Sequence, residues 1–393
     1  MIMNYQREKY MDKEQIKILM FCEVWGNGGV ESILFNLISY LSDKNVSVDL
    51  LCFSKKDSVF DSVFDNDNVK LIDVSFVRKN RFKGIIEKTK IIKAILKNEE
   101  YDIIHCNVGR NWNLIPFCLA NKGEAKLVAH AHCDAEEEPH KKIKTIFHNM
   151  LKAPLKKYID FGIGCSTNAL DWMFDNSLIL DNRAQVIYAG VDINKYRFDN
   201  EKRIKLRKEL GISDNEFVLG HVGRMCYQKN SLYLLAIFRE IVRKNPRSKM
   251  IYIGNGEMRD EVDYFIAENN LSSNIFIIES TADVTSYMSA MDVFLLPSVF
   301  EGLGLVLIEA QVNGLHCFVS DTVPSDACIS NLYTKISIDA NPLEWSEKIL
   351  ENECLDNVNR EEIYESFINS EQDKETGCYK IYNLYKSLVV RKE

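Results

Sequence analysis

The sequence predicts an α/β protein made of two doubly wound domains in tandem. Short apolar runs alternate with longer segments of helical periodicity, which is typical of βαβ units and parallel sheets. The length of 393 residues, with 46% hydrophobic and 27% charged residues, fits two globular domains with separate cores. Residues 186–198, which contain Gly190 and show little periodicity, separate two halves that show the same alternation of predicted strands and helices.

Each apolar run predicts a strand, and each amphipathic segment between runs predicts a helix. In the first half the predicted strands are 16–23, 46–53, 70–74, 102–106, 126–131 and 161–165, with helices such as 30–41 and 82–97. In the second half they are 217–222, 249–254, 274–278, 292–297, 316–320 and 335–338. The predicted helices of that half are 231–245, 258–269, 284–290 and 307–313.

These elements predict a polar N-terminal extension (1–14), an N-terminal domain (15–190) and a C-terminal domain (191–370). A C-terminal helix within 371–393 is expected to pack back on the N-terminal domain. The interdomain linker is placed in 186–198 and the charged segment 199–210. Doubly wound domains bind ligands at the carboxyl ends of their strands, so we expect the active site in a central cleft that the two domains face.

The composition excludes several classes of protein. A net charge of −8 argues against coating nucleic acid. Eleven scattered cysteines without a C-x-x-C pair argue against a disulfide framework or a zinc ribbon. Residues 1–15 lack the apolar core of a signal peptide, and no run approaches the roughly 18 apolar residues of a membrane-spanning helix. We therefore expect a cytoplasmic protein, which leaves contact with a membrane surface open.

Two loops at predicted strand–helix junctions can bind anions. Gly28 and Gly29 precede the first helix, where glycines let backbone N–H groups approach a ligand; the alternative is a plain tight turn. Arg224 and Lys229 follow the first strand of the second half. Fixed cations neutralise a departing diphosphate, whereas the alternative for such a pair is a solvated surface.

The third motif, at 297–310, carries the strongest signal. Glu301 lies in a predicted loop and Glu309, eight residues later, lies in the following helix, so both can line one pocket. A carboxylate accepts hydrogen bonds from two vicinal hydroxyls, which suits ribose or hexose. Gly302 and Gly304 leave amides open at the helix start. The alternative is that Glu309 bonds a neighbour or reaches water.

Taken together, Arg224, Lys229, the E-x7-E of Glu301 and Glu309, and Gln311 resemble family 4 of the retaining glycosyltransferases, in its bacterial capsule and exopolysaccharide branch. This resemblance implies the GT-B fold, in which two Rossmann-like domains face a cleft. It covers nearly the whole chain. The sequence departs from the family at Ala189, where the linker usually has asparagine, and at Glu279 and Thr281, where glycine and often arginine are usual.

The resemblance also implies roles for individual residues. Glu309 would bind the ribose, and Arg224 and Lys229 would hold the diphosphate. The other implied donor contacts are Asp283 and Val284 at the base, Glu301, Gly302, Leu303 and Gly304 at the sugar, Leu305 and Val306 at the diphosphate, and Gly28 and Gly29 at phosphates or acceptor. The implied catalytic set is Glu301, His132, Arg224 and Lys229. No cofactor or metal is implied, and the sole D-x-D, 65–67, is interpreted as a solvated turn.

Histidines end two predicted strands of the first half. His130 and His132 share a strand face, so both can point toward the cleft. The resemblance implies that His132 reaches the donor sugar; the alternative is a structural histidine bonded to a backbone carbonyl. His105 and Asn107, with His130, are weaker candidates for acceptor contacts.

Residues 140–159 predict a basic amphipathic helix interrupted by Pro154. Its apolar positions are Ile143, Ile146, Phe147, Met150, Leu151, Leu155, Tyr158 and Ile159. Its lysines are Lys141, Lys142, Lys144, Lys152, Lys156 and Lys157, and more basic residues stand at Arg78, Lys79, Arg81 and Lys83. One interpretation is contact with an anionic membrane. The other is an apolar stripe packed on its own sheet, with solvated lysines. Both can hold, with the stripe buried and the lysines in contact with lipid phosphates.

The resemblance implies retaining transfer of a hexose-type sugar from a UDP-sugar to a saccharide acceptor. The expected acceptor is lipid-linked at the inner face of the membrane, in capsule, exopolysaccharide or other surface-glycan synthesis. Two alternatives stay open: a non-catalytic subunit that binds a sugar nucleotide, and a nucleotide-sugar epimerase. The identity of the sugar, the linkage and the acceptor are not predicted.

Overall fold

The computed structural model describes residues 15–74, 81–123, 125–133, 142–351, 360–368 and 370–389, with the side chains of 81–83, 142 and 361–362 excepted. The chain divides into two compact units. Unit 1 draws on 1–165, 169–189 and 377–393, and unit 2 on 166–168 and 190–376. The predicted extension 1–14 and the basic residues Arg78, Lys79 and Lys141 lie outside the described residues, as do the side chains of Arg81, Lys83 and Lys142.

Unit 1 contains a seven-stranded parallel sheet in the order β3-β2-β1-β4-β5-β6-β7. Its strands are β1 (Ile16–Cys22), β2 (Val46–Cys52), β3 (Val69–Asp73), β4 (Ile103–Val108), β5 (Lys126–Ala131), β6 (Phe161–Gly164) and β7 (Ala184–Val186). Its first helices are α1 (Gly29–Ser42), α2 (Arg81–Asn98), α3 (Ile115–Ala120), α4 (Lys142–Leu155), α5 (Thr167–Met173) and α6 (Asn176–Leu180). The strand order reverses between β1 and β4, and ligands bind doubly wound sheets at such a point.

Unit 2 contains a six-stranded parallel sheet in the order β10-β9-β8-β11-β12-β13. Its strands are β8 (Val218–Val222), β9 (Lys249–Ile253), β10 (Ile275–Ile278), β11 (Val293–Leu296), β12 (His316–Ser320) and β13 (Tyr333–Ile336). Its helices are α7 (Ile193–Tyr196), α8 (Asn200–Glu209), α9 (Ser231–Lys244), α10 (Arg259–Glu268), α11 (Val284–Ala290), α12 (Leu305–Val312), α13 (Pro342–Glu351) and α14 (Arg360–Glu365). Here the order reverses between β8 and β11.

The last helix, α15 (Lys374–Val389), contributes to the core of unit 1. Cys378, Ile381 and Tyr385 are almost fully buried there, among side chains of α1 and of the central strands. The apolar positions of α15 therefore belong to a core that is otherwise built from residues far earlier in the chain.

The prediction of a linker through 199–210 is wrong, because this segment forms helix α8. Asp199 caps the helix by accepting a hydrogen bond from the backbone N–H of Lys202 at 3.0 Å. Arg203 and Arg207 both reach the carboxylate of Asp292, at 2.6 and 3.2 Å. The helix is thus anchored by guanidinium groups, so its sequence shows none of the apolar periodicity by which a helix is recognised.

The interpretation in which the apolar stripe of α4 packs on its own sheet is wrong for four of its residues. Four of its side chains, spaced three or four residues apart and so on one face of the helix, are largely exposed. Their exposed fractions are 82% for Ile143, 59% for Ile146, 45% for Phe147 and 69% for Met150. Among the described helices, none combines the length and the apolar composition needed to cross a membrane.

The buried face of α4 is fixed by His148, which has no exposed surface. Its ring stacks on Trp172 with 4.0 Å between centroids, and its Nε2 lies 2.8 Å from the Trp172 carbonyl oxygen. The backbone N–H of Asn111 donates to its Nδ1 at 3.2 Å. These contacts hold a polar side chain inward and therefore turn the apolar stripe outward.

Candidate functional site

The predicted site residues fall into two groups, one in each unit, and both lie at the carboxyl ends of the parallel strands. In unit 2 they occupy the loops that follow β8, β10 and β11 and the helices α11 and α12 that begin after the last two loops. In unit 1 they occupy the loop after β1 and the ends of β4 and β5. Each group is therefore at the edge of its sheet where ligands are expected.

In unit 2, the loop after β8 packs closely on the loop after β9. The Gly223 N–H donates to the Ile253 carbonyl at 2.9 Å, and the Met225 N–H donates to the Asn255 carbonyl at 3.1 Å. A Cβ on Gly254, whose φ is +144°, would lie 2.0 Å from the Gly223 carbonyl oxygen. Only glycine allows this approach, which fixes the backbone that carries Arg224.

Lys229 and Glu301 form a buried ion pair. The Lys229 Nζ lies 2.6 Å from Glu301 Oε1, and the two side chains are only 15% and 6% exposed. The Ser298 hydroxyl donates to the same carboxylate oxygen at 2.6 Å. Lys229 is therefore not a solvated surface cation, because its ammonium group is held next to the carboxylate.

Backbone contacts join the two loops beside this ion pair. The Val299 N–H donates to the Gln228 carbonyl at 2.8 Å, and the Gln228 side chain donates to the Phe300 carbonyl at 3.2 Å. Gly304, with φ of +83°, is the N-cap of α12. This left-handed conformation favours glycine and lets the chain turn directly into the helix.

Glu309 lies inside α12, eight residues after Glu301. Burial raises the pKa of its carboxyl group to about 7, although a hydrogen bond with the Tyr196 hydroxyl and the charges of Lys195 and Lys229 oppose the rise. The carboxyl group therefore exchanges its proton close to neutral pH. A ligand whose hydroxyls donate to the carboxylate would favour the ionised form.

Arg224 is an exposed member of the group. Its side chain is 59% exposed and its Nε lies 3.8 Å from Glu257 Oε2. Gln311, in contrast, is fully buried and donates to the carbonyls of Leu307 and Ala327. It therefore supports the loop around Ala327.

Two other predicted positions have defined local roles. Asp283 is the N-cap of α11 and accepts hydrogen bonds from the Ser286 N–H and hydroxyl, at 3.2 and 2.5 Å. Burial opposes ionisation, yet these bonds hold the pKa of Asp283 below its usual value. Glu279, where the family usually has glycine, is 67% exposed and pairs with Arg259 at 3.1 Å. Its charge therefore remains at the surface near α11.

In unit 1, the glycine loop lies against a carboxylate of the chain itself. A Cβ on Gly28 would lie 2.5 Å from Glu31 Oε2, so the Glu31 side chain would have to move to admit a larger residue there. Burial raises the pKa of Glu31, and the backbone N–H groups of Glu31 and Gly28 oppose the rise. The start of α1, which the sequence predicts as an anion site, thus lies next to the carboxyl group of Glu31.

His105 and His130 are fully buried between the ends of β4 and β5. The His105 Nδ1 contacts the Tyr385 hydroxyl, and its Nε2 lies 3.2 Å from His130 Nδ1. Both ring nitrogens of His105 are therefore engaged within the protein. His132 is half-buried, and its Nε2 lies 2.9 Å from the side-chain oxygen of Asn107.

Three residues that bond predicted site residues were not predicted from the sequence: Ser298, Tyr196 and Tyr385. Ser298 stands inside the predicted motif, three residues before Glu301, and its position was a usable signal. Tyr196 and Tyr385 contact Glu309 and His105, which are distant in sequence, and no local pattern marks them.

Among the residues that the structure describes, no group of three or more His, Cys, Asp and Glu side chains is placed to hold a metal ion. The D-x-D residues Asp65 and Asp67 are exposed in the turn between a 3-10 helix (Asp61–Asp65) and β3.

Both halves of the chain match models of glycosyltransferase families. The family model described as Glycosyltransferase Family 4 matches residues 27–195, and the model described as Glycosyl transferases group 1 matches residues 202–366. Among curated relatives, an Escherichia coli UDP-Gal:alpha-D-GlcNAc-diphosphoundecaprenol alpha-1,3-galactosyltransferase is 27% identical, over 80% of this chain and 82% of its own. The Escherichia coli O-antigen biosynthesis glycosyltransferase WclY is 24% identical, over 75% and 76%.

Solved structures share the fold. Anabaena HepE, in a crystal structure with UDP and glucose, superposes with a TM-score of 0.74 at 19% identity. The match covers 95% of this chain and 100% of that one. This likeness confirms the prediction that the chain has two Rossmann-like domains.

The buried histidines predict a dependence of stability on pH. Burial lowers the pKa of His105 to about 3 and also lowers that of His130. The unfolded chain, with histidine pKa values near 6.5, takes up protons first as the pH falls. The free energy of unfolding should therefore decrease below about pH 6.5, with a limiting slope of about 1.4 kcal/mol per pH unit for each buried histidine.

Hydrogen exchange of peptides from β4 and β5 at pH 7, 6 and 5, corrected for intrinsic rates, would measure this loss. A His105→Gln variant that still folds should show a smaller slope. Equal protection of β4 at all three pH values would contradict the neutral, buried state of these rings.

Proposed function

Because this chain belongs to the GT-B glycosyltransferases, we propose that it transfers a hexose-type sugar from a UDP-sugar to a saccharide acceptor with retention of anomeric configuration. The acceptor is a lipid-linked glycan intermediate of surface polysaccharide synthesis. Two relatives support this choice: one is named for a UDP-sugar and a diphosphoundecaprenol acceptor, and the other for O-antigen biosynthesis. UDP in the crystal structure of HepE supports a uridine nucleotide.

The observation that carries the proposal is the arrangement at the start of α12. There Lys229, Glu301 and Ser298 form one bonded cluster, and Glu309 follows in the same helix with a carboxyl group that ionises near neutral pH. An ammonium group suits a diphosphate, and two carboxylates suit sugar hydroxyls. This combination fits a sugar nucleotide better than a free sugar or a plain nucleotide.

In the proposed reaction, Arg224 and Lys229 stabilise the negative charge that develops on the diphosphate as its bond to the sugar breaks. Glu301 accepts hydrogen bonds from hydroxyls of the transferred sugar, and Glu309 accepts them from the ribose. His132 contacts the transferred sugar. The acceptor hydroxyl attacks from the face that UDP leaves, and a phosphate oxygen accepts its proton. Two protein cations supply the charge that a metal ion would otherwise provide.

Membrane contact through α4 is part of the proposal. Four large apolar side chains are exposed on one helical face, and the sequence 142–159 contains five lysines and no acidic residue. Lys157 is exposed, whereas Lys152 and Lys156 bond the Asp171 carbonyl and Asp175. An apolar row flanked by ammonium groups fits a bilayer with anionic headgroups. Such contact would bring the enzyme to a lipid-linked acceptor at the inner face of the membrane.

We expect Lys229→Ala and Glu309→Ala to lower kcat/KM for the UDP-sugar by about 100-fold, since each removes a contact to a charged group. UDP release would be measured across a panel of UDP-sugars with a lipid-linked or free saccharide acceptor, with and without EDTA. Lys244→Ala, which breaks an exposed pair with Glu347 at 2.9 Å, is the matched control.

Wild-type turnover by both site variants would refute the site assignment. Tight binding of UDP-sugars without UDP release under any condition would indicate a non-catalytic subunit. Conversion of the UDP-sugar without acceptor would indicate an epimerase.

Donor affinity should depend on pH through Glu309. Ribose hydroxyls bind the ionised carboxylate, so affinity should weaken as the pH falls through about 7, approaching a tenfold loss per pH unit. Calorimetric titration with UDP-glucose avoids a titrating ligand, because its phosphodiester oxygens stay ionised in this range. Glu309→Gln should bind more weakly at pH 8 and show a flat profile; a variant profile parallel to that of the wild type would exclude Glu309 as the cause.

Binding to vesicles tests the surface of α4. The wild type should sediment with vesicles that contain anionic phospholipid and less with neutral ones, and added salt should weaken the binding. Ile146→Asp with Met150→Asp should abolish sedimentation without lowering activity on a soluble acceptor. Leu180→Asp, at an 81% exposed apolar position on α6, is the control. Undiminished sedimentation of the double variant would reject α4 as the contact.

A further inference from the structure

The ends of β4 and β5 hold a polar cluster that the proposed reaction uses only in part. The histidine cluster consists of His105, Asn107, His130 and His132, and Asn107 pairs with His130 in the strand register. His105 and His130 are fully buried and Asn107 is 5% exposed. His132 follows the last residue of β5 and is the one member that is only half-buried.

The orientation of the Asn107 side chain is determined by its neighbours. Its Nδ2 donates to the backbone carbonyl of Phe21, on β1, at 3.0 Å. A flipped amide would place two acceptor oxygens against each other, so the Oδ1 must face the opposite side. On that side lies Nε2 of His132, at 2.9 Å. Since a carbonyl oxygen only accepts, this ring nitrogen must carry the hydrogen.

The protonation of His132 follows from this contact. A neutral imidazole carries one hydrogen, so with Nε2–H fixed by Asn107 the Nδ1 atom is a bare acceptor. The ring of His130 lies 4.1 Å away between centroids and is itself neutral, and burial lowers the pKa of His132 to about 4. Among the described residues, no donor bonds this Nδ1, although the atom is shielded from solvent.

A shielded acceptor without a donor costs free energy unless a ligand supplies one. We propose that Asn107 is a positioning residue, which holds His132 in the Nε2–H tautomer so that Nδ1 accepts a hydrogen bond from a hydroxyl of the saccharide substrate. This inference rests on the proposed function. It specifies the chemistry of the ligand group: a hydroxyl can donate to Nδ1, whereas a phosphate or carboxylate oxygen would be repelled.

The tautomer can be measured without any substitution. In the wild-type protein, long-range ¹H–¹⁵N correlation should show a protonated Nε2 and a bare Nδ1 on His132, assigned with a His132→Gln variant. Addition of UDP-glucose or UDP-galactose together with the saccharide acceptor should shift the Nδ1 resonance. A protonated Nδ1 in the free protein, or a resonance that none of these ligands moves, would overturn the inference.

Two substitutions of Asn107 separate positioning from simple structural support. Asn107→Asp keeps an oxygen facing His132 but adds a negative charge, which raises the pKa of His132 and turns Nδ1 into a donor. The acid limb of the kcat/KM profile should therefore move to higher pH, with activity recovered in alkaline solution. Asn107→Ala frees the ring, and we expect a mixture of tautomers and a drop in kcat/KM of about tenfold at every pH. Asn121→Asp, which alters an amide in the turn before β5, is the control.

A loss of activity by Asn107→Asp that is equal at all pH values would overturn the inference, because general damage to the site does not depend on the charge of His132. Failure of the proposed function is separable from this result. If no UDP-sugar is turned over, the proposed function fails, but the tautomer of His132 in the free protein still decides the role of Asn107. If transfer occurs although Nδ1 of His132 is protonated, the proposed function stands and only the inference about Asn107 fails.

Discussion

The ion pair between Lys229 and Glu301 is the interaction on which the site in unit 2 depends. It connects the loop after β8 with the loop after β11, and backbone bonds beside it keep the two loops in register. Burying two charges costs hydration free energy that their attraction only partly returns, so stability alone gives little reason to retain such a pair. For the proposed diphosphate ligand, an ammonium group already held in place would need no reorganisation on binding, and this preorganisation would offset the cost.

Glycine makes the same preorganisation possible in the backbone. At Gly254 and Gly304 the chain adopts positive φ values, and at Gly254 a neighbouring carbonyl leaves no room for a side chain. Glycine therefore gives these loops backbone conformations that residues with a side chain rarely adopt. Arg224 differs from Lys229 in exposure, since its side chain is 59% exposed.

Most of the fold could be predicted from the sequence, because burial on both faces of a parallel sheet leaves clear apolar runs. The predicted bounds of β5, β12 and α11 match the structure, and those of the other predicted elements lie within two residues of the observed ones, except that α4 ends four residues before the predicted end at 159. β7 has only three residues and gave no pattern, and α8 is held by charged groups. For α4 the periodicity was visible, but its orientation depends on His148, which bonds residues far along the chain. Likewise, the sequence identified Glu309, His132 and Asn107 as site candidates, whereas the contact of Glu309 with Tyr196 and that of His132 with Asn107 became apparent only in three dimensions.

The position of α15 in the chain has a consequence for biosynthesis. Cys378, Ile381 and Tyr385 complete a core whose other members all precede residue 190, so the ribosome must first synthesise nearly all of unit 2. Throughout that interval the nascent unit 1 presents an open apolar groove along α1 and its central strands. Burial of that surface must therefore wait until α15 has been synthesised, so unit 1 completes its core only after the chain of unit 2 has been made.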